Sequence, residues 1–183
     1  MHKKDDLFQG ALLRFTAPRP EDSDLLARYS ESYLYLSQVD TEHAVPLAPE
    51  AFSSGTNSNT VEFHLRTLDD DRFVGFVALH SIEWNNQAAL VAVGIGNPDD
   101  RSRGYGIDAL RMILRYAFHE LNLNRVGLDV ISYNEAAYRA YKKAGFVDEG
   151  RARSAVLRGG KSYDLIKMGI LRAEWEAMQA SSG

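Results

Sequence analysis

Three runs of alternating residues with only short turns between them, followed by one long amphipathic stretch, set the tightest limit on what this chain can fold into. The runs are Val61 to Leu68, Phe73 to Trp84 and Ala88 to Gly96. In the first, Val61, Phe63 and Leu65 alternate with Glu62, His64 and Arg66, the pattern of a half-buried antiparallel strand. Asp69-Asp70-Asp71 and Asn85-Asn86 supply the turns. Strands joined this closely pair antiparallel, because a parallel neighbour needs a long crossover. From Gly106 to Leu121 the period changes. Ile107, Leu110, Ile113, Leu114, Ala117, Phe118 and Leu121 fall on one helical face. The expected class is α+β: a mainly antiparallel sheet with helices on its faces.

The flanking segments fit that plan. Ala11 to Ala17 reads as a strand ended by Pro18 and Pro20. Glu21-Asp22-Ser23-Asp24 is an acidic helix start, and Tyr33 to Gln38 a second short helix. From Asp40 to Thr60 the pattern fades into Pro46, Pro49 and the run Ser53 to Asn59. That is a long mobile loop, expected to shape or cover a substrate site. Val126 to Ser132 is a buried strand. Asn134 to Ala144 is a helix with Asn134 as N-cap and Gly145 as its stop. Phe146 to Leu157 and Ser162 to Leu171 form a hairpin around Arg158-Gly159-Gly160-Lys161. The 183 residues make one domain, with residues 1–10 flexible or peripheral.

Composition removes several function classes. Apolar residues make up 45% and charged residues 25%, which excludes general disorder and a coiled-coil rod. There is no cysteine, so no disulfide, thiolate metal site or cysteine nucleophile exists. The histidines His2, His43, His64, His80 and His119 form no metal-binding spacing, and no metal is expected. Net charge is -4, which argues against a broad nucleic-acid face. Arg151, Arg153, Arg158 and Lys161 form only a modest cluster. No apolar leader follows the N-terminus and no run is long enough to span a bilayer. The expected location is the cytoplasm, with no membrane partner.

The most informative segment joins the third strand to the long helix. It reads Gly94-Ile95-Gly96-Asn97-Pro98-Asp99-Asp100-Arg101-Ser102-Arg103-Gly104-Tyr105-Gly106. A helix N-terminus exposes unpaired N–H groups and a positive dipole end. Gly104 and Gly106 admit a ligand close to the backbone, and Arg101 and Arg103 add positive charge. These residues describe a pyrophosphate cradle, or else a helix entry whose glycines only make the turn. Gly94 and Gly96 mark either a ligand-facing backbone or close packing against a helix. A P-loop is excluded because no Gly-Lys-Ser/Thr follows. A dinucleotide fold is disfavoured by Ala109 at the third glycine position and by the preceding antiparallel strands.

Arg101-Ser102-Arg103-Gly104-Tyr105-Gly106 resembles the acyl-CoA pyrophosphate motif of the GCN5-related N-acetyltransferase (GNAT) superfamily, Arg/Gln-x-x-Gly-x-Gly/Ala. Asn134 to Phe146 is similar to that family's Asn-x-x-Ala-x-x-x-Tyr-x-x-x-Gly-Phe pattern. Gly159 to Asp164, Met168-Gly169, Leu171 and Glu174-Trp175 look like the ribosomal-protein and diamine acetyltransferase branch. The resemblance implies a mixed, mostly antiparallel sheet of about seven strands, flanked by helices, with one splayed parallel pair. That pair would be Val91–Gly96 and Val126–Ser132. It also implies acetyl-CoA as cosubstrate. The pantetheine arm would pair with the backbone of Ile95 and Gly96. The pyrophosphate would lie on Arg101, Ser102, Arg103, Gly104, Tyr105 and Gly106.

Acetyl transfer to an amine needs a proton acceptor for the amine and a proton donor for the departing thiolate. Tyr141 is the candidate general acid. From spacing alone it reads rather as a core aromatic, and the family pattern reverses that preference. Asn134 lies two turns from Tyr141 on the same face, about 10 Å away. It serves as cap, pantetheine contact or both. For the base, His64, His80, Glu83, Asp129 and Asp164 qualify by residue type, and the sequence selects none. The expected activity is direct N-acetylation of a primary amine: a protein N-terminus, a polyamine or a small molecule. The competing reading is a non-catalytic acyl-CoA sensor or interaction module on the same fold. A homodimer is compatible with either.

Overall fold

The computed structural model describes residues 6–39, 43–52 and 57–181. Seven strands form one sheet in the order β1-β2-β3-β4-β5-β7-β6. They are β1 (Leu13–Thr16), β2 (Val61–Thr67), β3 (Phe73–Glu83), β4 (Ala88–Ile95), β5 (Arg125–Ile131), β6 (Val147–Arg158) and β7 (Lys161–Leu171). All neighbours are antiparallel except β4 and β5. The helices are α1 (Pro20–Ser30), α2 (Tyr33–Val39), α3 (Tyr105–His119), α4 (Glu135–Ala144) and α5 (Arg172–Ser181). No described helix is long and apolar enough to cross a membrane.

The core lies between the sheet and α3. Leu110, Ile113, Leu114, Ala117 and Phe118 are buried against Val77, Leu79, Val91, Val126 and Leu128. This is the face that the helical period marks. Trp175 of α5 closes one end, 5.4 Å from the Phe118 ring and 4.9 Å from His119. The sequence reading contains no α5, because its ten residues place a single large apolar anchor, Trp175, in the core.

The structure adds detail to three expectations. First, β2 is not half exposed: His64 is 1% and Arg66 6% exposed. Helix α1 covers that face and supplies Asp22, itself 2% exposed. Asp22 accepts two hydrogen bonds from Arg66 Nη2, at 2.6 and 2.8 Å, and lies 2.7 Å from His64 Nδ1. The alternation of β2 is real, but its polar side is an internal charge cluster rather than a solvated face. Second, of the segment 1–10, residues 1–5 lie outside the described residues, and residues 6–10 run along the edge of the domain with bonds to it. Gly10 N–H donates to Leu13 O, Arg115 donates to the carbonyls of Asp6 and Gln9, and Phe8 packs on Phe63. Third, the long loop is anchored on both sides. Leu47 N–H donates to Ser30 Oγ, Pro49–Phe52 forms a short 3₁₀ turn, and Trp84 Nε1 donates to Ser58 O. Residues 40–42 and 53–56, which that loop reading also covers, lie outside the described residues.

Removing one member of a buried charge cluster leaves the others without compensation. Asp22→Ala is therefore expected to destabilise the fold by about 3–5 kcal/mol. Urea denaturation monitored by tryptophan fluorescence measures it. A loss below about 1 kcal/mol would mean that α1 docks through its apolar contacts alone.

Candidate active site

The parallel register of β4 and β5 holds only for Ala88 with Arg125, Ala89 with Val126 and Leu90 with Gly127. Beyond that point the two strands diverge. β4 stays paired to β3 as far as Ile95, and β5 to β7 as far as Ile131. A cleft of ≈ 470 Å³ occupies the opening, bordered by Val93, Ile95, Arg101, Gly106, Asn134 and Tyr141. An inner cavity of ≈ 230 Å³ continues between the strands to His80 and Asp129.

Backbone alternation decides what β4 offers to this opening. Gly96 N–H donates to Val74 O at 3.1 Å. In an antiparallel ladder every second residue is bonded the same way, so Gly94 and Ala92 also face β3. Val93 and Ile95 therefore turn their N–H and C=O groups toward the gap. Ile95 lies on the gap edge. Gly96 does not: its N–H is used, and a Cβ there would come within 1.9 Å of the Tyr29 ring. Close packing against a helix accounts for a glycine at this position. Val93, absent from the sequence reading, takes the adjacent place because strand phase, not residue type, selects it.

The turn before α3 is a concave array of donors. Ser102 has φ 61 and Gly104 φ 87, and left-handed residues alternating in this way point successive N–H groups inward. The first hydrogen bond of α3 is Asp108 N–H to Gly104 O. Among the described residues, the N–H groups from Ser102 to Ile107 have no partner. Arg101 borders the cleft and Arg103 is exposed beside it. Neither forms an ion pair with a described carboxylate. Two of the acids nearby have internal partners. Asp100 receives two bonds from Arg72, at 2.7 and 2.9 Å. Asp108 accepts from the N–H groups of Ala11, Leu12 and Leu13 at 3.0, 2.8 and 2.9 Å. Of the three aspartates in the sequence neighbourhood, two are thus compensated, and the turn keeps its free N–H groups beside one exposed acid, Asp99.

Helix α4 forms the opposite wall. Asn134 Oδ1 caps it by accepting from Ala137 N–H at 3.3 Å, and Asn134 Nδ2 donates to Gln38 O at 3.3 Å. Tyr133 OH donates to Ser37 O. These two bonds tie the end of α2 to the start of α4 across the opening. Tyr141 borders both the cleft and the inner cavity, with its ring 5.9 Å from Phe146. Its hydroxyl has no partner among the described residues, and burial pushes its pKa up to about 12.

The base candidates separate by position. His64 is enclosed by Asp22 and α1. Glu83 accepts from Asn86 in the β3–β4 turn. Asp164 accepts from Ser154 N–H and from Arg151. Only His80 and Asp129 border the inner cavity. The described residues of the 43–60 loop do not border either space, whereas Gln38 and Val39 of α2 border both. Among the described residues there is no cluster of side chains suited to a metal ion.

Residues 13–147 match the model of the acetyltransferase (GNAT) domain, and the chain belongs to that family. It is 32% identical over 109 residues to the putative ribosomal N-acetyltransferase YdaF of Bacillus subtilis, covering 60% of this chain and 59% of that one. It is 38% identical over 117 residues to the probable N-acetyltransferase YjcK of the same organism, covering 62% and 63%. The matched part thus spans about three fifths of those relatives. The spermidine N(1)-acetyltransferase of Escherichia coli is 27% identical over 134 residues, 69% of this chain and 72% of that one. The structure of a Vibrio cholerae spermidine N-acetyltransferase in complex with CoA and spermine superposes with a TM-score of 0.81 at 21% identity. The match covers 90% of this chain and 98% of that one. That likeness shares the seven-stranded sheet and its parallel pair.

The two glycines of the turn differ in kind, and stability measurements can separate them. Gly104 is left-handed, so Gly104→Ala should cost roughly 1–2 kcal/mol. A Cβ at Gly106 meets nothing within 4 Å. Gly106→Ala should therefore leave the fold unharmed or stabilise it by about 0.4–1 kcal/mol. Thermal denaturation of the two variants checks the contrast.

Proposed function

We propose that this protein is an acetyl-CoA-dependent N-acetyltransferase that transfers the acetyl group directly to a primary amine. The observation that carries the reading is the continuity of the opening. It runs from a turn of unpaired N–H groups, past the free edge of β4, to the Tyr141 hydroxyl. An acyl-CoA has the matching sequence of groups: a pyrophosphate, an amide-bearing arm and a thioester.

In this reading the pyrophosphate lies on the N–H groups of Ser102 to Ile107, with Arg101 and Arg103 adding charge. The pantetheine amides pair with the outward backbone groups of Val93 and Ile95, as an added strand would. Asn134 borders the same path while capping α4. The amine attacks the thioester carbonyl, and Tyr141 gives its proton to the departing thiolate. A phenol raised to about 12 stays protonated throughout the neutral range. The same dry surroundings raise the thiolate's own appetite for a proton. No acyl-enzyme is required, since the chain has no cysteine and no strand–Gly-x-Ser-x-Gly–helix elbow. The acceptor belongs to the amine class. The relatives named above for ribosomal and spermidine acetylation make a protein N-terminus and a polyamine the first two to test.

Two variants test the halves of the site. Gly106→Val places three carbons where the phosphate oxygens must approach. Acetyl-CoA affinity by calorimetry should fall at least about tenfold, or 1.4 kcal/mol, with the melting temperature retained. An unchanged dissociation constant sinks the cradle assignment. Tyr141→Phe keeps the ring against Phe146 and removes only the hydroxyl. The single-turnover rate of CoA release should drop about 10²–10⁴-fold with acetyl-CoA binding intact. Tight acetyl-CoA binding by the unmodified protein without thiol release on any amine would favour the sensor reading instead.

A further inference from the structure

The proposed reaction needs an acceptor for the proton that the amine loses, and Tyr141, a donor, does not supply it. We propose that His80 is that base and that Asp129 is a positioning residue for it. This inference rests on the acetyltransferase reading above.

Position is the first argument. In the sheet His80 lies directly opposite Leu90, and Leu90 is the last β4 residue to pair with β5, through Gly127. His80, Leu90 and Gly127 therefore form one row across the sheet, at the point where the two strands part. The second argument is local backbone. The β3–β4 register shifts just after His80, between His80 and Glu83, and Ser81 adopts φ 51. A bulge beside an opening re-aims the side chains next to it. The third is a shared space. His80, Asp129 and Tyr141 border one cavity of ≈ 230 Å³, roomy enough for an amine and for waters that relay its proton.

The surroundings give the imidazole the right charge. Its Nδ1 lies 3.2 Å from Ser81 Oγ, and Nε2 has no partner among the described residues. Burial lowers its pKa below the ordinary value and Asp129 pulls it back up, so the ring is neutral at pH 7 and still able to hold a proton. The charged groups facing it are few. β5 contributes Asp129, and β7 contributes Lys167, opposite Asp129 in register. From β2, Glu62 stands one step along, opposite Ala78. The cavity-lining residues of α2 and α4, Gln38, Val39 and Tyr141, are uncharged at neutral pH.

The step balances. The amine nitrogen bonds to the acetyl carbon and its proton passes to His80 as the C–S bond breaks. The sulfur takes the Tyr141 proton. The imidazolium then returns its proton to the phenoxide through water, and both side chains are restored.

The test uses the full chain with acetyl-CoA, and with spermidine and an alanine-terminated basic peptide as amine probes. His80→Gln should slow single-turnover CoA release about 10²–10⁴-fold and remove the acidic limb of kcat, with acetyl-CoA affinity unchanged. Asp129→Asn should retain turnover and move that limb to lower pH, because the imidazolium loses its negative neighbour. The His80 titration followed by NMR should lie below about 6.5 and fall further in Asp129→Asn. A His80→Gln enzyme with the wild-type rate and pH profile overturns this inference alone. So does a His80 titration at its ordinary value that Asp129→Asn leaves in place. A wild-type protein that binds acetyl-CoA but releases CoA with neither probe nor any amine of a wider primary-amine panel overturns the acetyltransferase reading, and this inference with it.

Discussion

β4 and β5 pair for three residues and then separate, and the rest of the site is arranged around that limit. Backbone groups at a sheet edge need partners or water. Here each strand keeps a full ladder on its far side, β4 with β3 and β5 with β7. The inner edges can part without loosening the sheet. A ligand with amide groups can then complete the open ladder. The bonds from Tyr133 to Ser37 O and from Asn134 to Gln38 O span the opening and fix how far α2 and α4 stand apart.

Charge is distributed to serve the same opening. Asp22, Asp100 and Asp108 are all buried, and each is saturated by donors: Arg66 and His64, Arg72, and three backbone N–H groups. A buried carboxylate is tolerated only with such partners. Their placement joins α1 to β2, the β2–β3 turn to the turn before α3, and the N-terminal segment to α3. The buried carboxylates Asp100 and Asp108 beside the turn before α3 are thereby compensated, and Arg101 and Arg103 form no ion pair with a described carboxylate. At the other end the carboxylate of Asp129 faces the imidazole of His80. One opening thus has free N–H groups at its mouth and an imidazole and a carboxylate at its inner end.

Most of the fold is legible in the sequence because its elements carry strong periods or clear stops. The face of α3, the cap at Asn134 and the stop at Gly145 all appear where their residue types require. The motif from Arg101 to Gly106 also lies on the cleft. What escapes the sequence depends on partners far along the chain. His64 and Arg66 look solvated until Asp22, some forty residues earlier, arrives on α1. The need for glycine at 96 is visible only once the Tyr29 ring occupies the space beside it. Val93 has no distinguishing chemistry and matters only through strand phase. His80 and Asp129 are two candidates of the right type among several, and only the sheet register brings them to one cavity.

The contact of Gly96 with Tyr29 has a consequence for how such a sequence can vary. The aromatic ring fills the volume that any side chain at 96 would need, with its nearest carbon 1.9 Å from the place a Cβ would take. The two positions therefore cannot drift independently. A larger residue at 96 is admissible only alongside a smaller one at 29, or after α1 has moved off the sheet. Because α1 also carries Asp22, such a move would strip the counter-charge from Arg66. Variation at one strand-end glycine is in this way geared to a helix more than sixty residues upstream, and the pair should be inherited as a unit.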